Sequence, residues 1–295
     1  TLFIKSVDNP ATYYSTIECA LGQHMVYNPH ATYPHIGAHD VSNIIFENLA
    51  FKYGGAYAFK FQRVHHIRVQ NCDMEWMGGA EVDGQARTRY GNGIEFFGLA
   101  FYCQANGNKM NQIYDSGISY QAINSPAAAI GISFMNNSLL KCGLAGYELW
   151  LRSDKGQLTN ISFCNNTLMD IGKGWGGEAN QRKTNAYWGF AFLLDSTYCP
   201  TQSLSILGNI VINREKYAVF VNEKEHILPR KEFEIIALLA SKPHKVFTRE
   251  EIFQSIWGNS VVGDRTIDVH IRRIREKLNI DNITTIKGIG YKFEI

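Results

Sequence analysis

The sequence predicts a mainly β solenoid followed by a small α+β helix-turn-helix domain. Three observations carry that expectation. Short apolar strands broken by Asn or Gly recur through the first two thirds of the 295 residues. A second set of strands, most of them led by Gly, runs in phase with the first. After about residue 208 the period becomes that of amphipathic helices, and the basic excess lies there. From Gly208 onward there are 15 Lys/Arg against 12 Asp/Glu, leaving 14 against 15 before it. The composition, 45% hydrophobic and 19% charged, is that of a globular chain. No apolar run reaches the roughly 18 residues that span a bilayer, so no membrane partner is expected. The chain has no signal peptide and opens on Thr1 rather than Met, which reads as a cut N-terminus.

The repeats are "NIIFENLAF", "HIRVQNCDM", "GISFMNNSLL", "NISFCNNTLM" and "SLSILGNIVI". Their turn position falls at Asn48, Asn71, Gly107, Asn136, Asn165 and Gly208, at intervals of 23, 36, 29, 29 and 43. A short minimum with variable additions predicts one coil per repeat, with loops of differing length. Asn residues stacked at these turns are expected to satisfy each other along a ladder. The second column reads "AYAF", "GIEF", "GISY", "GYEL" and "GFAF". Strand alternation puts Tyr57, Phe59, Ile94, Phe96, Ile118, Tyr120, Tyr147, Leu149, Phe190 and Phe192 on a core face. Ala58, Glu95, Ser119, Glu148 and Ala191, then Lys60, Phe97, Gln121, Trp150 and Leu193, fall on an exposed outer face. Cys19, Cys72, Cys103, Cys142, Cys164 and Cys199 show no CxxC spacing and are expected as buried free thiols.

Adjacent coils stack about 4.8 Å apart, so Glu95 and Glu148, two coils apart in one column, are expected with Cα atoms about 9 to 10 Å apart. Carboxylates about 6.5 to 9.5 Å apart suit an inverting glycosidase, and Asp115 lies close enough in the chain to join them. Trp76, Phe97 and Trp150 are candidates for stacking on sugar rings, and Lys60 and Arg152 for meeting uronate carboxylates. The alternative is a solvated outer face without chemistry. His65 and His66 read as a loop pair, and no metal or cofactor site is expected. The Gly-rich stretch from Gly172 to Arg182 matches no phosphate-binding pattern and reads as a loop flanking the groove.

With segments such as "NCDMEWMGG", "RYGNGIEFFG" and "IYDSG", residues 5–213 resemble the right-handed parallel β-helix of the pectate-lyase superfamily. That resemblance implies a first domain over 1–207. It also implies a polysaccharide lyase, a glycoside hydrolase or a non-catalytic carbohydrate binder, with polysaccharide as partner and a secreted or periplasmic parent. The usual N-terminal cap of such a solenoid is not evident, which agrees with truncation.

In the last third, "PRKEFEIIALLAS" places Phe233, Ile236, Ala237 and Ala240 on one helical face. "TREEIFQSIWG" opens with Thr248 and Glu251 in capping-box spacing. In "DRTIDVHIRRIREKL", Ile267, Ile271, Ile274 and Leu278 form an apolar stripe. Arg265, Val269 and Arg272 lie opposite, flanked by Asp268 and Arg273. A helix with an apolar back and an Arg-rich front suits a major groove. "TTIKGIGYKFEI" reads as a hairpin turning at Gly288 and Gly290.

These segments, with "KEFEII" and "KVFTREEI", resemble the OmpR/PhoB-type winged-helix effector domain of two-component response regulators over residues 208–295. The resemblance implies double-stranded DNA as partner, transcription regulation and a cytoplasmic workplace. It implies base contacts from Val269, Arg272 and Arg273, phosphate contacts near Thr248, Arg265, His270 and Arg275, and a wing carrying Thr285 and Lys287. The loop 258–263 resembles the segment that meets RNA polymerase. There are departures. Pro229-Arg230 stands where Thr-Pro is usual, removing a hydroxyl cap, and Lys287 stands where Arg is common. The solenoid occupies the place of a receiver domain, so no phosphoacceptor is proposed.

At the junction, Ile210–Ile212, Tyr217–Val221 and Glu225–Leu228 fit the small sheet that precedes the first helix. The same stretch also fits the solenoid's column. Leu204–Ile206 are assigned to the solenoid and 208–295 to the winged helix. A sugar-handling solenoid and a DNA reader have different workplaces, so the chain reads as a joining of two fragments or an unusual natural fusion. The leading expectation is sequence-specific duplex binding without catalysis; the alternative is a carbohydrate-active β-helix.

Overall fold

The computed structural model describes residues 25–27, 41–81, 89–122, 127–152, 156–174, 176, 190–195, 201–258 and 265–295. Most of the described part of the first two thirds is parallel sheet. In the largest sheet, Phe59–Gln70, Ile94–Phe101, Ile118–Ala122, Ala145–Leu151 and Phe190–Asp195 pair successively in parallel. The same sheet continues through Gln104–Asn106, Ala128–Met135, Gln157–Cys164 and Thr201–Leu207. A second sheet orders Ala50–Lys52, Asp73–Met77, Lys109–Ile113, Ser138–Cys142, Thr167–Met169 and Ile210–Asn213 in parallel. Register links equivalent residues turn after turn: Met74, Met110, Leu139, Leu168 and Val211 form one row.

Rows of like residues build the core because each coil presents its apolar positions to the one beneath. Phe59, Ile94, Ile118, Tyr147 and Phe192 form one row. Phe61 and Phe96 stack with ring centroids 5.5 Å apart, and Tyr147 and Phe192 at 5.6 Å. Burying each such aromatic contributes roughly 1.5–3 kcal/mol. The Phe190 side chain lies outside the described residues, as do Cys19 and Cys199. Cys72, Cys103 and Cys142 are buried free thiols, and Cys164 is half-buried.

The predicted outer column is corrected in register. Lys60, not Ala58, sits opposite Glu95, and Leu193, not Ala191, sits opposite Glu148. A shift of two residues keeps every side chain on its face, so alternation alone cannot detect it. His65 and His66, expected in a loop, lie within the strand Phe59–Gln70, with His66 in the left-handed region at φ 56°.

The turn positions share one backbone conformation. Asn48, Asn71, Asn136 and Asn165 have φ between 52° and 57°, and Gly107 and Gly208 have φ of 67° and 68°. Asn tolerates this region better than most residues and Gly occupies it without strain. A Cβ on Gly208 would lie 1.9 Å from Asn165 Oδ1. The expected ladder is therefore displaced by one residue, because the left-handed residue only bends the chain. The next residue, Asn108, Asn137, Asn166 or Asn209, turns inward and is buried. Asn108 Nδ2 donates to Asn137 Oδ1 at 3.0 Å, Asn137 to Asn166 at 3.1 Å, and Asn166 to Asn209 at 2.9 Å. Each acceptor also takes the backbone N–H of the preceding Asn at 2.9 Å.

The last third contains α1 (Arg230–Ala240), α2 (Arg249–Trp257) and α3 (Arg265–Leu278). A three-stranded antiparallel sheet of Phe247–Thr248, Gly290–Phe293 and Ile283–Ile286 packs with them. Thr248 caps α2, its hydroxyl accepting from Glu251 N–H at 3.0 Å while Glu251 Oε2 accepts from Thr248 N–H at 2.8 Å. Pro229 leaves α1 without a side-chain cap.

The strand Ile210–Asn213 belongs to both neighbours. It pairs in parallel with Thr167–Met169 and antiparallel with Ala218–Val221, which in turn pairs with Lys224–Ile227. Met169, Ile210, Ile212 and Val219 join Phe233 and the stripe of α3 in one core, with Leu140 packed at its margin. Helix α1 is consequently buried more widely than one stripe predicts, with Ile235 and Leu239 also enclosed. Phe220 lines a cavity of about 370 Å³ with Phe192 and Val211. Among the described residues, no helix is long and apolar enough to cross a membrane.

Candidate nucleic-acid interface

Helix α3 presents two chemically different sides. Ile267, Ile271, Ile274 and Leu278 are at most 2% exposed. Val269 is 42% exposed, and Arg272 and Arg273 project into solvent beside it. The apolar stripe fixes the rotation of the helix, and that rotation leaves this trio outward. Arg272 makes a loose contact with Glu276 at 3.7 Å, one turn along. Thr285 and Lys287 are exposed on the adjoining hairpin, whose turn includes Gly288 at φ 76°.

Two residues expected near phosphates are differently placed. His270 is mostly enclosed, with Nδ1 3.7 Å from Glu232 Oε1 and its ring 5.7 Å from that of Trp257. It directly precedes Ile271, on the flank of the buried stripe, and so turns toward α1 and α2. Glu232, itself 1% exposed, also accepts from Lys277 Nζ at 2.8 Å. Arg275 bends back to the hairpin, donating to Ile283 O and, at 2.9 Å, to Thr285 Oγ1. The hydroxyl of Thr248 is occupied by the cap. The side chain of Arg265 and residues 259–263 of the predicted polymerase loop lie outside the described residues.

Sequence reasoning missed a cluster beside the trio. Arg249 Nε donates to Asp268 Oδ1 at 2.8 Å, and Tyr291 Oη donates to the same oxygen at 2.7 Å. The Arg249 hydrogen bond, with help from Tyr291, holds the Asp268 carboxyl below its ordinary value. Burial, then the Asp268 hydrogen bond, pushes the Tyr291 phenol up. The available signals were weak: Arg249 follows a capping Thr, and Tyr291 lies in an alternating strand.

Residues 223–293 match the family described as Transcriptional regulatory protein, C terminal. The heme response regulator HssR of Staphylococcus aureus is 43% identical over 93 residues, which cover 30% of this chain. The chain spans 42% of the length of that relative. Among solved structures, the DNA-binding domain of CssR from Bacillus subtilis is 28% identical, covering 28% of this chain and 98% of that domain, with a TM-score of 0.27. DrrB of Thermotoga maritima, an OmpR/PhoB homologue, is 37% identical, covering 28% of this chain and 41% of its own, also with a TM-score of 0.27. The C-terminal part is thus a winged-helix domain of the transcriptional-regulator type.

The other candidate constellation lies on the outward side of the large sheet. Lys60, Glu95, Ser119 and Glu148 form one register row, and Gln62, Phe97, Gln121 and Trp150 the next. The expected exposed strip is corrected. Glu95 is 0% and Glu148 7% exposed, and Asp115 is buried beside them. Polar partners on or just before the same and neighbouring strands enclose them. Lys60 Nζ lies 3.0 Å from Glu95 Oε1, and Asn92 Nδ2 donates to Glu95 Oε2 at 2.8 Å. Ser116 Oγ and Gln121 Nε2 donate to Glu148 Oε2 at 2.7 and 2.8 Å. Burial, then the Asp115 charge, raises the Glu148 carboxyl to about 7; burial likewise raises that of Glu95. Lys60 faces Tyr57 and Phe97, and Arg152 lies over Trp150 at 5.0 Å. Trp76 is 39% exposed but lies on the strand Asp73–Met77 of the second sheet, so it does not share this strip.

Proposed function

We propose that residues 208–295 bind double-stranded DNA sequence-specifically and regulate transcription, without catalysis. The observation that carries this reading is the two-sided α3: a buried Ile/Leu stripe sets the phase, and Val269, Arg272 and Arg273 remain outward. The match of 223–293 to transcriptional-regulator C-terminal domains supports it independently. The described strands before residue 208 belong to a right-handed parallel β-helix that carries the DNA reader, a reading supported by the strand-to-strand register. The workplace is the cytoplasm, where duplex DNA is found, and the loop 258–263 is the candidate contact for RNA polymerase.

The base-reading roles fall to Val269, Arg272 and Arg273, with Arg265 at the backbone and Thr285 and Lys287 on the wing. A carbohydrate function, with polysaccharide as partner and a secreted or periplasmic parent, rests on sequence resemblance alone. The enclosure of Glu95, Asp115 and Glu148 speaks against their acting as an open acid/base pair.

Titration of the intact chain with duplexes selected from a random pool, against shuffled duplexes at several salt concentrations, tests the reading. The expected result is preferential binding that weakens linearly in log affinity against log salt, by about 0.9 per phosphate neutralised. Equal affinity for all duplexes removes the sequence-specific claim, and no binding at low salt removes DNA binding altogether.

A further inference from the structure

We propose that Asp268 is a positioning residue for DNA recognition: it locks Arg249 and the start of α3 to the hairpin, trading general affinity for sequence discrimination. The inference rests on the DNA-binding reading above and extends it to residues that make no assigned base contact.

Three elements converge on one carboxylate. Asp268 lies in the first turn of α3, Arg249 opens α2, and Tyr291 belongs to the strand Gly290–Phe293. Arg249 donates to both Asp268 oxygens, at 2.8 Å from Nε and 3.4 Å from Nη2. Its Nη2 also donates to Tyr291 Oη at 3.3 Å, and the guanidinium lies 5.0 Å from the Tyr291 ring centre. Tyr291 is 4% exposed and pairs with Phe247 and Thr285 on either side. The clamp therefore has a fixed base in the core. Asp268 itself has a half-exposed side chain, 51% against 26% for Arg249, on the helix that bears Val269, Arg272 and Arg273.

An exposed anion beside a DNA-facing surface works against duplex binding through phosphate repulsion. It also withholds the charge of Arg249 from phosphates. A purely stabilising ion pair could have been placed away from that surface; here its geometry ties the recognition helix to the wing. Bidentate Arg–carboxylate pairing is directional, so it restrains the angle of α3 as well as its distance. Directional restraint is what discrimination requires, because a good bidentate base contact depends on placing an Arg fork squarely.

The test compares Asp268→Asn and Asp268→Glu with the unaltered chain, using one duplex recovered from a random pool by the unaltered chain and one shuffled duplex of equal composition. For Asp268→Asn, affinity for the shuffled duplex should rise severalfold, the salt slope should steepen by about one phosphate's worth, and the selected-to-shuffled ratio should fall about tenfold. Asp268→Glu should restore most of the ratio. A merely structural role predicts lower affinity for both duplexes in proportion to lost folding, with the ratio kept; that result overturns the proposal. So does an unchanged ratio in a folded variant. If the unaltered chain binds neither duplex, the DNA-binding reading fails and takes this inference with it. If it binds both equally, there is no discrimination for Asp268 to control.

Discussion

Arg275 Nη2 donates to Thr285 Oγ1 at 2.9 Å, tying α3 to the hairpin beside it. The same guanidinium donates from Nε to Ile283 O at 3.0 Å and lies 5.9 Å from the Tyr291 ring centre. These contacts use the side chain internally, which sets its expected effect apart from that of an outward Arg. Arg275→Ala should cost about 1–2 kcal/mol, as charged hydrogen bonds do when lost without full burial. The loss should appear as faster amide exchange in Ile283–Ile286 before any change in the salt slope of duplex binding. A reduced slope with unchanged exchange would return Arg275 to the phosphate role its sequence position suggests.

Arg273 is expected to behave oppositely. It is exposed, and its neighbour Ile274 is fully buried, so its direction from the helix is set by packing. Arg273→Ala should leave the unfolding midpoint nearly unchanged and flatten preference at particular base pairs, by roughly 1–3 kcal/mol at each. Binding to a panel of single-base variants of a selected duplex measures this. A uniform loss across the panel would assign Arg273 to the backbone.

The asparagine ladder is expected to dominate the stability of the corner between the two parallel sheets. Asn137 accepts from Asn108 N–H and Nδ2 and donates to Ala105 O, Asn166 Oδ1 and Tyr147 Oη. Asn137→Ala leaves several of these partners buried and unpaired, and each such group costs about 1–3 kcal/mol. A net loss of about 3 kcal/mol is expected in urea unfolding followed through intrinsic fluorescence. A loss below 1 kcal/mol would mean that water enters the corner and replaces the amide.

The ladder also illustrates what was legible beforehand. The recurring Asn/Gly column marked the turn from the larger sheet to the second, and the left-handed φ values explain why those residues stand there. The functional Asn lay one position later, where pattern alone could not distinguish a bending residue from a bonding one. Helical phase placed Ile267 to Leu278 correctly because four apolar positions over-determine one rotation. It was silent on His270, to which the resemblance gave a phosphate contact; a residue on the edge of a stripe is decided by what packs opposite, here Glu232 and Trp257. Alternation likewise put Glu95 and Glu148 outside the apolar tube, but "outside" did not mean solvated: Lys60, Asn92, Ser116 and Gln121 close over them. The clamp of Arg249, Asp268 and Tyr291 joins residues far apart in the chain and left no periodic trace.

Glu148 gives the chain an expected pH dependence. Its folded carboxyl is raised from an ordinary value of 4.5 to about 7, first by burial and then by the charge of Asp115. Below pH 4.5 both folded and unfolded forms hold the proton, and this group contributes nothing to stability. Between 4.5 and about 7 the unfolded chain has released the proton while the folded chain retains it, so stability falls as pH rises. Above about 7 the loss is complete, at about 3 kcal/mol from this group. Glu148→Gln keeps an oxygen to accept from Ser116 and Gln121 but has no proton to lose. It should therefore unfold at higher urea than the unaltered chain at pH 8 and lose that advantage at pH 5, and the two curves should converge across this window. Parallel curves would show that the carboxyl is ionised in the folded state throughout, with the cluster hydrated rather than sealed.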